Sequence, residues 1–142
     1  MKIRNCSFEE ILYIHSRIPE FKTISDIEYF TRRIGTNKYL SLAAEISNEL
    51  VGYKLGYWLD STRFYSWLGG VIPSQRRQGV AEVLLRYQEG DVCVAGGKTI
   101  LVKSMNKYRG MLIMLISNGY QIVGFENQGV NEGKVQFSKS FT

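Results

Sequence analysis

The chain has 142 residues, a net charge of +5, a hydrophobic fraction of 44% and a charged fraction of 22%. This length suits one compact domain with a buried core and is short for two, so we expect a single domain over residues 1–142. The composition excludes disordered and fibrous classes, no apolar run approaches the roughly 20 residues of a membrane span, and two cysteines with one histidine make a zinc site implausible.

The positive charge is spread along the chain and includes the close pair Arg76-Arg77. With no run of five or more lysines and arginines, the charge indicates ordinary surface charge or a phosphate-bearing ligand more than nucleic-acid binding. The N-terminal residues lack the long apolar core of a secretory signal. We therefore expect a cytoplasmic protein that binds neither nucleic acid nor membrane and holds no metal ion.

The first part of the chain predicts a strand and two helices. Met1–Arg4 is typical of a short strand. Capping boxes, in which a serine is followed three residues later by a glutamate, mark the starts of both helices: Ser7 with Glu10, and Ser25 with Glu28. Pro19 marks the end of the first helix, and Gly35 ends the second.

Three strands are predicted next, forming an antiparallel meander. Tyr39–Ile46 alternates apolar and polar residues, Ser47-Asn48-Glu49 makes a turn, and Leu50–Trp58 is rich in β-branched and aromatic residues. Phe64–Ile72 is the third strand. Within it, Gly69-Gly70 indicates a bulge or a close approach of another part of the molecule to the backbone.

The second half alternates helices with strands. Apolar residues at helical spacing define two helices, one by Val80, Val83, Leu84 and Tyr87, and one by Tyr108, Met111, Leu112 and Leu115. Gly96-Gly97 closes the first and Asn118-Gly119 the second. The strands are Thr99–Lys103, Tyr120–Phe125 and Lys134–Phe141. The resulting order, β-α-α-β-β-β-α-β-α-β-β, indicates a mixed α/β (α+β) domain with a central sheet and helices on its faces.

One segment, Val71-Ile-Pro-Ser-Gln-Arg-Arg-Gln-Gly-Val-Ala81, predicts an anion site. It joins a strand to a helix through a basic loop, and unpaired N–H groups at a helix N-terminus attract anions. Gly79 lets a bulky anion approach the backbone because it has no Cβ. Such a site suits a pyrophosphate.

The same segment resembles motif A of the GNAT N-acetyltransferase superfamily, V-x-P-x-x-R-x-x-G-x-A, in which Val71, Pro73, Arg76, Gly79 and Ala81 all match in register. The glycine-rich motifs of P-loop and Rossmann proteins are absent. The resemblance covers nearly the whole chain. It implies a sheet of about six or seven strands splayed in the middle, about four flanking helices, and transfer of an acetyl group from acetyl-CoA to a primary amine of a small molecule or peptide by direct attack on the thioester.

The resemblance also implies which residues bind acetyl-CoA. The pantetheine arm would pair with the backbone at Val71 and Ile72, the pyrophosphate would sit on the N–H groups of Arg77 to Ala81, and Asn106 would touch the pantetheine. The implied set is Val71, Ile72, Arg76, Arg77, Gln78, Gly79, Val80, Ala81 and Asn106. The Gly69-Gly70 pair is compatible with a bulge that the family has in this strand.

The catalytic residues remain unassigned. The place of the family's thiolate-protonating tyrosine falls on Leu115, and the strand that usually carries a basic glutamate has no carboxylate between Phe64 and Gly70. The remaining candidates are Glu45, Tyr108 and Tyr120.

Other functional questions stay open at this point. A non-catalytic acyl-CoA-binding sensor or interaction module is the alternative to an enzyme. The acceptor pocket would be built around Pro19–Ser25, and His15, on the apolar face of the first helix, is predicted to be a packing residue. A homodimer is one assembly consistent with the sequence.

Overall fold

The structure is a computed structural model that describes residues 1–127 and 132–141. Within these residues, the strands and α-helices follow the predicted order: β1 (Lys2–Asn5), α1 (Phe8–Ser16), α2 (Glu28–Ile34), β2 (Tyr39–Ile46), β3 (Glu49–Trp58), β4 (Arg63–Val71), α3 (Val80–Val94), β5 (Thr99–Met105), α4 (Arg109–Ser117), β6 (Gln121–Glu126) and β7 (Lys134–Ser140). None of the helices in the described part has the length and apolar character needed to cross a bilayer.

The strands of the described residues form one seven-stranded sheet in the order β1-β2-β3-β4-β5-β7-β6. Neighbouring strands are antiparallel throughout, except that β4 and β5 are parallel. A parallel pair needs a crossover connection, and α3 provides it. The predicted mixed sheet, antiparallel in its first half, is confirmed.

The parallel pair β4 and β5 separates part of the way along. Hydrogen-bonded pairing joins only Arg63–Ser66 to Thr99–Val102. Beyond these positions β4 continues to Val71 and β5 to Met105, but the two strands no longer pair. A gap therefore opens between their carboxyl ends, which confirms the predicted splay in the middle of the sheet.

Helices cover both faces of the sheet, as alternate residues of β3 show. The Tyr53 hydroxyl donates a hydrogen bond to the imidazole of His15 from α1. The next residue on the opposite face, Gly52, is covered by α3, because a Cβ at this position would lie 3.2 Å from Cγ1 of Val80. Buried α3 residue Leu85 shares an apolar cluster with Leu115, so α4 lies on the same face as α3.

The start of α1 is the one predicted from the first capping box. The Ser7 hydroxyl accepts the Glu10 N–H at 3.2 Å, and the Ser7 N–H donates to the Glu10 carboxylate at 3.0 Å. The helix ends at Ser16, with Arg17 as its C-cap, so it stops before Pro19 is reached.

The second predicted capping box is wrong. Helix α2 begins at Glu28 with Ile27 as its N-cap, and Ser25 makes no capping hydrogen bond. Instead, the Asp26 carboxylate accepts the Tyr29 N–H at 3.3 Å. The acidic residue is favoured because a carboxylate also complements the positive end of the helix. Gly35 ends the helix as predicted, with a φ of 61°.

The bulge in β4 lies at Trp67 rather than at the predicted Gly69-Gly70 pair. Leu55 of β3 is opposite Leu68 and the next β3 residue is opposite Ser66, which leaves Trp67 as the extra residue. Both glycines pair regularly with β3. The alternative expectation, a close approach of another part of the molecule to the backbone, is confirmed at Gly70, where a Cβ would lie 2.6 Å from Ile18 and Phe21.

The buried stripe of α3 also differs from the predicted one. Val80 and Leu84 are buried as expected, but Tyr87 is 51% exposed, and Leu85 and Gln88 face inward instead. The sheet under α3 is broad enough to bury two adjacent helical rows, and Gln88 occupies a position that the pattern assigned to an apolar residue.

The ion pair between Arg4 and Glu10 generates a prediction for acid stability. Arg4 donates two hydrogen bonds to the Glu10 carboxylate, which lowers the pKa of Glu10 from 4.5 to about 2. The pair therefore contributes stability above pH 4.5, and this contribution is lost as the pH falls toward 2. Glu10→Gln is expected to lower the unfolding free energy at pH 7 and to flatten its dependence on pH across this interval.

Denaturant unfolding at several pH values measures this effect. Glu9→Gln is the matched control, because Glu9 is the exposed neighbour in the same helical turn. If Glu10→Gln and Glu9→Gln show the same pH dependence, the ion pair does not stabilise the fold.

Candidate functional site

The predicted anion site is built where β4 ends and α3 begins. Pro73 cannot donate to a neighbouring strand, so β4 pairing stops and a short 3-10 turn over Pro73–Gln75 follows. In this turn the Gln75 N–H donates to the Ile72 carbonyl at 3.0 Å, and the Arg76 N–H donates to the Pro73 carbonyl at 3.3 Å. These bonds place the next residues directly beyond the end of β4.

Two residues of the following backbone adopt left-handed conformations. Arg77 has a φ of 63° and Gly79 a φ of 80°. Gly79 is the N-cap of α3 and no side chain caps the helix. In the described part of the chain, no acceptor is bonded to the N–H groups of residues 77–82. A left-handed conformation is unfavourable for arginine, and such conformations are concentrated at functional sites.

The space in front of these N–H groups is open. A Cβ added at Gly79 would have no other atom within 4 Å. Arg77 and Gln78 are exposed, whereas Val80 is buried against the sheet and anchors the first turn of α3. The arrangement is a set of main-chain donors at the positive end of a helix dipole, open to solvent on one side.

Arg76 is held back from this open space by two contacts. Its Nε donates to the Val71 carbonyl at 3.1 Å, and its Nη1 pairs with the Glu20 carboxylate at 2.7 Å. The pairing with Arg76 lowers the pKa of Glu20. Both side chains are about 40% exposed, so the ion pair is a weak one that an anion can compete with.

The free backbone edge of β4 lies beside the gap, but Ile72 does not contribute to it. The Ile72 N–H donates to the Val51 carbonyl of β3 at 2.9 Å, and its carbonyl accepts the Gln75 N–H. Because antiparallel strands alternate the direction of their hydrogen bonds, Gly69 and Val71 point their main-chain groups away from β3 and into the gap. The main-chain groups of Ile72 are therefore already paired within the chain, whereas those of Gly69 face the gap, and the binding roles of Val71 and Ile72 stay predictions.

The loop that follows α1 covers one side of the gap. A Cβ at Gly70 would lie 2.6 Å from both Ile18 and Phe21, so the glycine allows this loop to pack on β4. Phe21 also contacts the Tyr108 ring at a centroid distance of 6.1 Å, and the Tyr108 hydroxyl donates to the Glu20 carbonyl at 3.4 Å. The loop thus connects β4 to the start of α4 across the gap, within the Pro19–Ser25 region predicted as the acceptor pocket.

His15 fixes this loop and has no free ring nitrogen. Its Nε2 lies 2.8 Å from the Lys22 carbonyl, which only accepts, so Nε2 carries the proton. Its Nδ1 therefore accepts from the Tyr53 hydroxyl at 2.7 Å. The side chain is 6% exposed, and the predicted packing role is confirmed.

Asn106 lies on the other side of the gap, directly after β5. Its main-chain N–H donates to the Gly133 carbonyl at 2.9 Å, and its exposed side chain makes no hydrogen bond to the described residues. The N-cap of α4 is Tyr108, without a side-chain cap. Asn106 therefore does not cap the helix, and its amide is free to contact a ligand.

Two of the three catalytic candidates lie away from the gap. Glu45 pairs with Arg4 at 2.7 Å at the β1 edge of the sheet. The Tyr120 hydroxyl donates to the Glu89 carboxylate at 2.8 Å, and burial together with this carboxylate raises the pKa of Tyr120. Both side chains are thus engaged by partners within the chain, and their catalytic roles stay predictions. Tyr108 is the candidate that the fold brings to the site.

Leu115, at the position implied for the family's tyrosine, is fully buried in the core between α3, α4 and the sheet. A side chain at this position therefore faces the core and does not line the described part of the gap.

The sequence pattern missed Lys54, which lies at the centre of β3 and is only 7% exposed. Its Nζ is 3.5 Å from the position of a Cβ at Gly69, next to the free edge of β4. The signal for it was present, because Lys54 is a lone charged residue between Tyr53 and Leu55 in an otherwise uncharged strand core.

The contact of the loop with Gly70 predicts a difference between two adjacent glycines. Gly70→Ala forces Ile18 and Phe21 to move and is expected to destabilise the fold by about 1–3 kcal/mol. Gly69→Ala is the matched control, because its Cβ would find its nearest neighbour at 3.3 Å, and it should change stability by less than about 1 kcal/mol. Thermal and denaturant unfolding of both variants measures the difference. Equal stabilities would show that the loop does not pack on Gly70.

The comparisons with known proteins find similarity in structure but not in sequence. No protein family model matches the chain, and no curated protein matches it. Solved structures do match over nearly the whole chain. The ribosomal-protein-S18-alanine N-acetyltransferase from Escherichia coli superposes with a TM-score of 0.83 at 14% identity, over 98% of this chain and 92% of the other.

Two further structures connect the fold to a ligand and to a family. An aminoglycoside 6'-N-acetyltransferase complexed with coenzyme A superposes with a TM-score of 0.78 at 16% identity, over 99% of this chain and 97% of the other. An acetyltransferase assigned to the GNAT family, from Desulfovibrio desulfuricans, gives a TM-score of 0.77 at 14% identity, over 98% of both chains. The resemblance first found in motif A thus extends to the whole architecture, and the chain has the fold of the GNAT acetyltransferases.

Proposed function

We propose that this chain is an acyltransferase that moves an acetyl group from acetyl-CoA to a primary amine of a small molecule or peptide. The observation that carries the proposal is the open start of α3, where unpaired N–H groups lie directly beyond the free edge of β4. Solved structures with this fold support it, since they include acetyltransferases and a complex with coenzyme A.

The start of α3 fits a diphosphate. The N–H groups of residues 77–82 have no bonded acceptor in the described chain, and the helix dipole adds positive potential at the same place. Gly79 leaves the approach open, whereas any Cβ there would project into the space that a phosphate needs. Arg76 is close enough to exchange its weak pairing with Glu20 for a phosphate oxygen.

The gap between β4 and β5 fits the pantetheine arm. Its two amides would need donors and acceptors spaced as in a strand. The main chain of Gly69 and the N–H of Val71 could supply them, while the Val71 carbonyl already accepts from Arg76. From the β5 side, Asn106 offers a side-chain amide that makes no hydrogen bond to the described residues. Acetyl-CoA would supply the activated acyl group, and these residues would hold its pantetheine arm.

The proposed reaction is a direct transfer. The amine nitrogen attacks the thioester carbonyl, the C–N bond forms, and the C–S bond breaks with its electron pair on sulfur. A main-chain N–H left unpaired at the bulge around Trp67 would donate to the carbonyl oxygen as negative charge develops there. One such donor contributes about 2.7–4 kcal/mol in other enzymes. Holding both reactants in one gap removes much of the remaining barrier.

The acceptor amine would enter from the face covered by the loop after α1. Phe21 and Tyr108 meet on this face, and Glu20 adds a carboxylate that attracts a cationic amine. Proteins of the same fold include a ribosomal-protein-S18-alanine N-acetyltransferase and an aminoglycoside 6'-N-acetyltransferase, whose amine substrates are very different. The proposal is therefore limited to the class of primary amines.

A second function is a non-catalytic module that binds acyl-CoA without turnover. Two observations favour it: Leu115 occupies the place of the family's proton donor, and strand Arg63–Val71 carries no carboxylate. The two functions differ in one measurement. An enzyme releases thiol from acetyl-CoA in the presence of kanamycin, spermidine or an alanine-terminated peptide, whereas a module binds CoA tightly and releases none.

The open position of Gly79 generates the prediction that tests the cofactor site. Gly79→Glu places a Cβ and a negative charge in front of the free N–H groups, so affinity for CoA should fall at least about tenfold. Gly79→Ala separates the two effects, because it adds the Cβ and the left-handed strain without the charge. Isothermal titration calorimetry with CoA measures all three proteins.

Gly90→Glu is the matched control, because it introduces the same side chain into the same helix at an exposed glycine with nothing within 4 Å of a Cβ. Its CoA affinity should equal that of the wild type. Equal affinities for Gly79→Glu and Gly90→Glu, both folded, would place the diphosphate elsewhere.

A further inference from the structure

Lys54 stands out because it is a buried cation without a counterion. Among the described residues it is the only lysine or arginine in the buried class, at 7% exposure. It makes no hydrogen bond or ion pair with any of them. Keeping a lysine largely out of water without a counterion is costly, so a lysine at such a position needs a reason beyond packing.

The path of the side chain carries its ammonium to the gap. Lys54 lies directly opposite Gly69 in the pairing of β3 with β4. Its Cγ and Nζ are both 3.5 Å from the position of a Cβ at Gly69. Since these two atoms are three bonds apart, the side chain crosses above Gly69, with Cγ on the β3 side. The ammonium therefore lies over Gly69, whose main-chain groups face the gap that β5 has left.

Buried polar groups without partners also lie on the face of the sheet that α3 covers. Gln88 of α3 is fully buried, and neither its Nε2 nor its Oε1 has a hydrogen-bond partner in the described chain. Ser66, the last β4 residue paired with β5, also has a buried hydroxyl without a partner there. Unsatisfied buried polar groups are rare and mark places where a ligand or water is expected.

The position of Gln88 follows from the residues one turn before and after it. Leu84 contacts the position of a Cβ at Gly52, at the start of β3, and Val92 lies beside Gly97 together with Trp58, at the end of β3. Helix α3 thus runs along β3, and Gln88 falls between these two points, at the level of Lys54.

Few charges act on Lys54. Its neighbours on the same face of β3 are two glycines, Gly52 and Gly56, and its partner on β2 is the apolar Leu42. On β4, the same face presents Gly69 and the neutral hydroxyl of Ser66. From α3, the Glu89 carboxylate attracts the ammonium, but this carboxylate is bonded to Tyr120 and Lys139. Burial is the larger effect and lowers the pKa of Lys54 to about 8.

We propose that Lys54 is the proton donor to the thiolate that leaves when the acyl group is transferred, a role that rests on the acyltransferase function proposed above. As the C–S bond breaks, a proton moves from Nζ to sulfur, so that CoA leaves as the thiol and Lys54 becomes a neutral amine. The attacking amine loses its extra proton to solvent, and Lys54 takes one up from solvent before the next turnover.

The acidity of Lys54 suits this step. An ordinary thiol has a pKa of about 8.5, close to that of the buried lysine, and proton transfer between groups of matched pKa is efficient. Lys54 is mostly protonated at pH 7 and mostly neutral at pH 9 because its pKa is about 8. Since Leu115 and Tyr120 do not supply this proton, the role of Lys54 explains how the thiolate is protonated. Every residue that this role uses lies in the described part of the chain.

The test compares Lys54→Met with the wild type, using acetyl-CoA and the best acceptor among kanamycin, spermidine and an alanine-terminated peptide. Thiol release at saturation should fall by about 10²–10⁴-fold. CoA affinity should stay within about threefold, and the melting temperature should not fall, since removing an unpaired buried charge does not destabilise a core. Lys98→Met, at an exposed lysine, controls for the change in net charge.

Two further readouts separate proton donation from a structural or electrostatic role. Wild-type kcat should decrease above pH 8, where Lys54 loses its proton, and Lys54→Met should lack this decrease. Lys54→Arg keeps the positive charge but cannot release a proton, so it should remain as slow as the methionine variant.

The outcomes distinguish this role from the function on which it rests. An active wild type with an equally active Lys54→Met, a restored rate in Lys54→Arg, or an acyl group found on Lys54 by mass spectrometry would overturn the proton-donor role and leave the acyltransferase standing. A wild type that binds CoA but releases no thiol with any acceptor would overturn both.

Discussion

The separation of β4 from β5 is the constraint on which the rest of the structure depends. Parallel strands ordinarily stay paired, yet here pairing stops after Ser66 and Val102, and each strand continues alone. The Trp67 bulge lies at the point of separation and turns the strand, since bulges bend and twist the strand that carries them. The result is a sheet with a free backbone edge in its interior.

Three features converge on that edge because of the chain's connectivity. Helix α3 must cross from β4 to β5, so its N-terminus lies directly beyond the end of β4. The loop after α1 closes one face through Gly70, and Lys54 reaches the edge from the other face through Gly69. Because neither glycine has a Cβ, Gly70 leaves room for the loop after α1 on one face of the sheet, and Gly69 leaves room for the Lys54 side chain on the other.

Local sequence signals predicted most of the fold. The Ser7 capping box, the Gly35 stop and the order of the strands and helices depend on interactions within a few residues, and each is confirmed. The failures involve competition that a pattern does not resolve. Asp26 rather than Ser25 accepts the hydrogen bond at the start of α2, because Asp26 lies closer to the first turn. On α3, Gln88 is buried and Tyr87 is exposed, because the width of the covered sheet decides which rows of helical residues are buried.

The candidate site could be predicted only in part, for the same physical reason. The secondary structure of the segment from Val71 to Ala81 depends on residues within the segment, so its strand, loop and helix start could be predicted from the sequence. The pairing of Arg76 with Glu20 and the crossing of Lys54 over Gly69 join parts of the chain that only the folded sheet brings together. The partners of Glu45 and Tyr120, Arg4 and Glu89, could not be predicted either, because they are distant in sequence.

The central claim is that main-chain amides at the start of α3 hold the diphosphate of CoA. A titration of ¹⁵N-labelled wild-type protein with CoA, followed by amide chemical shifts, tests it most directly. We expect saturable shifts that are largest between Arg77 and Ala81 and extend to Gly69 and Val71, with little change in β1 or β6. Saturable shifts confined to other surfaces, or none at millimolar CoA, would contradict it.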